Sequence, residues 1–81
     1  MIDILFFAQV RELTGTSALQ LPAEFPTVND LRQSLAGRDD RWALALESGK
    51  LLVAVNQTLT DMAHPLKAGD EVAFFPPVTG G

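Results

Sequence analysis

Two short apolar segments with strand-type alternation stand at opposite ends of a chain of only 81 residues, and this limits the fold more than any other feature. Near the start, Ile2, Ile4 and Phe6 fall on one face of an extended segment, while Asp3, Leu5 and Phe7 fall on the other. Near the end, Val72 and Phe74 share one face and Ala73 and Phe75 the other, over residues 71–75. A domain this small buries only about two-thirds of its unfolded surface, so there is room for one small core. Terminal strands in so short a chain are expected to pair in the middle of a single mixed sheet.

The intervening sequence supplies the rest of such a sheet and its cover. Residues 8–13 read as a short helix closed by Gly15, which takes the left-handed conformation at low cost. Residues 17–21 read as a second strand, hairpinned back on the first, and Pro22 and Pro26 bracket a loop. Residues 27–36 carry the clearest helix signal. Thr27 is a good N-cap, Asp30 three positions later resembles a capping box, and Val28, Leu31 and Leu35 form one apolar stripe with Asn29, Arg32 and Gln33 facing away. Gly37 stops it. Asp39 or Asp40 can cap a further short helix that sets Trp42 and Leu46 one turn apart, ended by Ser48-Gly49.

Residues 51–55 are a continuous apolar run of strand length, suited to a central or well-covered strand. Asn56-Gln57 reads as a turn, residues 58–60 as a brief strand, and Pro65 with Ala68-Gly69-Asp70 as a loop and turn. Pro76-Pro77 forbids further sheet pairing and stiffens the exit toward a free tail of Val78, Thr79, Gly80 and Gly81. The order strand, strand, helix, strand, short strand, strand fits several α+β folds, and the one expected is the β-grasp (ubiquitin-like) fold, a mixed sheet with one main helix packed across it. The expected organisation is a β-grasp domain over residues 1–75 and an extended Gly-Gly tail over residues 76–81.

Composition excludes several function classes. Ten acidic against six basic residues give a formal net charge of −4, and no Lys/Arg cluster supplies the footprint that a phosphate backbone requires. Neither nucleic acid nor an anionic membrane is the expected partner. Without cysteine there is no disulfide scaffold, zinc finger, iron–sulfur site or thiol nucleophile. The start, Met1-Ile2-Asp3-Ile4, has no basic stretch ahead of an apolar run, so a cytoplasmic protein is expected. A hydrophobic content of 47% is ample for a folded core.

The sequence offers one place for chemistry, and it is the end of the chain. Gly80 and Gly81 have no side chains, so they can pass through a channel that any β-carbon would block. The stretch from Pro76 to Gly81 reaches on the order of 20 Å when extended. That suits delivery of a terminal carboxylate into another protein's active site; the alternative is a frayed end with no role. A carboxylate is unreactive at neutral pH, and adenylation would convert it to a mixed anhydride open to attack by a sulfur donor. Phe7 and Phe75 sit on outer faces of the terminal strands, and Leu59 can join them from the short fourth strand. Such a cluster beside the tail is a docking surface, unless a loop of the same chain covers it. The same register sets Asp3 near Glu71, a mildly unfavourable pairing.

Other candidates are weaker. His64 precedes Pro65 with no second His or any Cys nearby, so no metal site is expected. Asp39-Asp40 is better explained as a helix cap than as a catalytic pair, and Trp42 as core. Thr27, Ser34 and Ser48 have no base positioned by any motif, and no Gly-rich phosphate loop follows a strand.

Leu5-Phe6-Phe7-Ala8 followed by Val10-Arg11-Glu12, the run from Leu51 to Asn56 with Gln57, and the terminal Phe74-Phe75-Pro76-Pro77-Val78-Thr79-Gly80-Gly81 resemble the small subunits of molybdopterin synthase, a family of ubiquitin-like sulfur carriers. The similarity runs over essentially the whole chain, and the terminal octapeptide is its specific part. The resemblance implies that an E1-like enzyme adenylates Gly81 and that a sulfurtransferase system converts the transient acyl-adenylate to a thiocarboxylate (a C-terminal 1-thioglycine). It further implies docking on the large subunit of molybdopterin synthase, or on the activating enzyme, through Phe7, Leu59 and Phe75. Val78, Thr79 and Gly80 would thread into that subunit's pocket, and sulfur would pass to cyclic pyranopterin monophosphate to build the molybdopterin dithiolene. The family assembles as a heterotetramer of two large and two small subunits, with catalytic side chains on the large one, and no bound cofactor is implied here. Three rivals remain at this point: a thiamin-pathway sulfur carrier, a modifier joined through Gly81 to lysines, and an interaction module with no terminal chemistry.

Overall fold

A computed structural model describes residues 1–47, 49 and 51–77. The elements follow in the order β1 (Ile2–Phe6), α1 (Ala8–Thr14), β2 (Ala18–Leu21), α2 (Val28–Ala36), α3 (Asp40–Ala45), β3 (Leu52–Val55), β4 (Thr58–Thr60) and β5 (Glu71–Phe75). One five-stranded sheet has the spatial order β2-β1-β5-β3-β4. The terminal strands are its centre: β1 runs parallel to β5, with Ile4 beside Val72 and Phe6 beside Phe74. The outer pairings, β1 with β2, β5 with β3 and β3 with β4, are antiparallel. This is the β-grasp arrangement expected from the alternation at the two ends.

The strand period sorts the apolar residues into two faces. Ile2, Ile4, Phe6, Val53, Val55, Val72 and Phe74 all point to one side and are at most 4% exposed. Val28, Leu31 and Leu35 of α2, Val10 of α1, and Trp42, Ala45 and Leu46 at α3 close the core over them. Phe6 is its keystone, meeting Trp42 edge-on at 5.4 Å and lying stacked against Phe74 at 6.2 Å between ring centroids. Burial of a side chain of this size is worth about 1.5–3 kcal/mol, so few such residues carry most of the fold.

Local chemistry fixes the helices that make this lid. The capping box of α2 is complete: Asp30 N–H donates to Thr27 Oγ1 at 3.3 Å, and Thr27 N–H donates to Asp30 Oδ2 at 3.1 Å. Asp39 caps α3 by accepting from Trp42 N–H at 3.0 Å. Gly15 ends α1 in the left-handed conformation at φ 68°. Asn56 and Gln57 both take positive φ, 52° and 68°, which gives the two-residue hairpin between β3 and β4 its tight reversal. Arg32 departs from the amphipathic reading. It is half-buried, and its guanidinium donates to the Leu46 carbonyl at 3.0 Å and to Asn29 Oδ1, linking α2 to the end of α3.

Asp70 is the one buried charged residue among those described, 3% exposed. Its carboxylate accepts from Asn56 Nδ2 at 2.9 Å and from Lys67 N–H at 2.9 Å, so it ties the β3–β4 turn to the approach to β5. The hydrogen bond from Asn56 holds the carboxyl below its ordinary value. Burial opposes that shift, while the Lys67 N–H bond and the charges of Lys67 and His64 reinforce it.

Candidate functional site

All three helices pack on one face of the sheet, and among the described residues nothing covers the other. Reading across the strands in register, Ala18, Leu5, Ala73, Ala54 and Leu59 form one row of this outer face. Leu52 stands beside Phe75 in the next row toward the exit of β5. Leu59 is 64% exposed and Phe7 46%, while Leu5, Leu52, Ala54, Ala73 and Phe75 are half-buried by their neighbours alone. The result is a continuous apolar strip across a sheet that is otherwise a normal half-covered layer.

Phe7 and Phe75 fall at neighbouring positions, as the alternation predicts. The parallel ladder extends one bond beyond the last residue of β1, with Phe7 N–H donating to the Phe74 carbonyl at 3.1 Å. Phe7 then serves as the N-cap of α1 without a side-chain cap. Its carbonyl accepts from Val10 N–H at 3.1 Å, and Ala8 takes φ 52° to reverse the chain at once from strand to helix. A left-handed alanine costs about 1–2 kcal/mol, and here it leaves Phe7 on the open face while Val10 turns into the core. Leu59 does not adjoin the two phenylalanines. It lies on β4, two strands from β5, or about 10 Å at ordinary strand spacing, and reaches them through Ala54, Leu52 and Ala73.

Those bridging residues are the part of the face that sequence reasoning did not assemble. Leu5 is visible in the alternation of the first strand. Leu52 and Ala54 are hidden in the unbroken run from Leu51 to Val55, whose two faces only pairing with β5 separates. Past Phe75 the ladder stops at Pro76 and Pro77, which lack N–H donors. Pro76 and Pro77 also help line a groove of about 280 Å³ on the helix side, with Val10, Leu13 and the 61%-exposed Leu44. The root of the tail therefore emerges between two apolar surfaces. Val78, Thr79, Gly80 and Gly81 lie outside the described residues.

The weaker candidates have local explanations. The His64 ring Nδ1 lies 3.2 Å from Thr60 Oγ1. Asp39 is occupied as a cap, and Trp42 is core, 8% exposed with the Arg38 guanidinium 4.9 Å above its ring. No group of three or more His, Cys, Asp or Glu residues that could hold a metal is found among the described residues. No helix among them is long and apolar enough to cross a membrane.

Comparison with known proteins places the chain in a family. The chain is 70% identical over 81 residues to the molybdopterin synthase sulfur carrier subunit of Escherichia coli (strain K12), covering all of both chains. It is 59% identical, again over the whole of both, to the same-named protein of Haemophilus influenzae. The fold matches a chain in the protein–protein complex of subunits 1 and 2 of the molybdopterin-converting factor from Helicobacter pylori 26695. That match has a TM-score of 0.67 and 25% identity, covering 99% of this chain and 97% of the other. Residues 4–81 match the ThiS family, and the chain belongs to it.

Proposed function

We propose that this protein is the sulfur carrier of a molybdopterin synthase. The observation that carries the reading is 70% identity to a sulfur carrier subunit over the whole of both chains. The tail sequence and the bare sheet face at its root support the same reading. Gly81 is the working residue, through its terminal carboxylate. Attack of that carboxylate on ATP, held by an E1-like enzyme, forms an acyl-adenylate and releases pyrophosphate. Sulfur delivered at the sulfide level by a sulfurtransferase system displaces AMP and leaves a thiocarboxylate. Two such transfers, each from one charged carrier, supply the two sulfurs of the dithiolene on cyclic pyranopterin monophosphate, and water restores the carboxylate after each.

The domain's part in this chemistry is presentation. Phe7, Leu59 and Phe75 dock the large synthase subunit, and the same face serves the activating enzyme. Pro76 and Pro77 end the sheet pairing at the root of the tail, and Val78, Thr79, Gly80 and Gly81 enter the partner's pocket on docking, where acid–base side chains reside.

The test is the intact mass of the protein after incubation with its activating enzyme, ATP and a sulfur source. A gain equal to sulfur replacing one oxygen is expected, and none when Gly81 is deleted. The deletion leaves the domain folded and abolishes sulfur transfer to the pterin precursor. Full transfer by the truncated chain would overturn the reading, and higher-mass conjugates on lysines would favour a modifier instead.

A further inference from the structure

Beyond its apolar strip, the outer sheet face has an anionic end. In-register pairing of the central parallel strands sets Asp3 directly beside Glu71, and Gln20 of β2 stands on the other side of Asp3. With Leu5, Ala18 and Leu19 these residues line an open groove of about 570 Å³. Gln20 Nε2 donates to Asp3 Oδ1 at 2.7 Å, and among the described residues no side-chain donor reaches the Glu71 carboxylate. Like charges on adjacent central strands oppose sheet formation, so the fold gains nothing from this pair.

None of the chain's described arginines, nor Lys67, lines this groove. Arg32 binds the Leu46 carbonyl, Arg38 lies over Trp42 and Arg41 reaches the Glu12 carbonyl, all on the helix side with Arg11 of α1. Lys67 lies in the loop ahead of β5 and acts on Asp70. Among the described residues no lysine or arginine stands on the outer-face rows of the strands. Among the described residues, a second copy of this chain turned face to face would therefore bring no lysine or arginine to the groove.

We infer that this groove seats a lysine or arginine side chain of the partner that docks on the outer face, its aliphatic stem along Leu5 and Ala18 and its charged head between Asp3 and Glu71. An amphipathic side chain of this kind is the one that matches an apolar floor with an acidic rim. The apolar strip supplies contact area, and the acidic end fixes which way round the partner lies on it. This rests on the docking reading above.

The test compares the full chain with Asp3→Asn, Glu71→Gln and the double variant in titrations against the large synthase subunit, with Phe75→Ala as a control. The double variant is expected to bind about tenfold more weakly at an ionic strength of about 0.01 M, with a smaller loss at about 0.15 M. Its urea midpoint is unchanged or higher, because a repulsion has been removed. Unaltered affinity and salt dependence in the double variant, with Phe75→Ala still weakening the complex, would remove the cation seat and leave the docking face standing. Affinity that falls only in step with a lowered urea midpoint would make the pair structural and overturn the inference. If Phe75→Ala is also without effect, the docking reading falls and this inference with it.

Discussion

Phe6 and Phe7 are neighbours in the chain, as are Phe74 and Phe75, yet each pair is split by the sheet. Phe6 is 1% exposed and Phe74 0%, locked under the helices, whereas Phe7 is 46% exposed and Phe75 half-buried on the bare side. Residue type does not distinguish them, because all four are large and apolar. What differs is which face has a lid. Inner-face phenylalanines are held by their own chain, and outer-face ones have surface left to give to another. The contrast predicts that stability and partner affinity separate cleanly between adjacent positions.

The strongest way to break that contrast is Phe74→Ala. Removing a fully buried ring that stacks on Phe6 is expected to cost about 3–5 kcal/mol of stability, enough to unfold a domain this small in mild urea. A loss below about 1 kcal/mol in urea titration would mean that the helix-covered face is not where the fold is held. Phe75→Ala is the sharpening partner. It is expected to weaken the complex with the large subunit by about 2 kcal/mol, read by calorimetry, while costing under about 1 kcal/mol of stability. Unchanged affinity would place the docking surface elsewhere.

Thr27→Ala probes the lid alone. Loss of the α2 cap is expected to lower stability by about 1 kcal/mol without altering docking on the opposite face. Coupled loss of affinity would show that the two faces are not independent. The smallest effect concerns Asp70, which braces the sheet beneath both faces. Its folded-state carboxyl lies below the ordinary value, so the unfolded chain takes up the proton first as pH falls. The stabilisation is complete above the unfolded-state value near 3.8 and is lost as pH drops through the folded one. Asp70→Asn should therefore flatten the acid side of the stability profile. An unchanged acid slope would assign the loss of stability to other carboxylates.

Much of this architecture was legible in the chain because its signals are local. The capping box at Thr27 and Asp30, the Asp39 cap, the Asn56-Gln57 turn and the alternation in the first and last strands each follow from a few consecutive residues. So does the end of the last strand, since Pro76-Pro77 lack the N–H groups that further sheet pairing needs. Arg32 was misread because a helical wheel shows which face is polar but not whether another element's carbonyl waits there. Leu46 supplies that carbonyl from fourteen residues away.

The sequence by itself determined the strand and helix segments, the two faces of each terminal strand, and the composition of the tail. Only the tertiary structure decided which face is covered. That choice depends on three helices packing to the same side of the sheet, a non-local outcome of core closure. The same packing joins Leu5, Ala73, Ala54 and Leu59 into one surface from four strands. The Asp3–Glu71 pairing, by contrast, already follows from the alternation of the two terminal strands set in parallel, and burying Ile4 beside Val72 and Phe6 beside Phe74 is what holds that register.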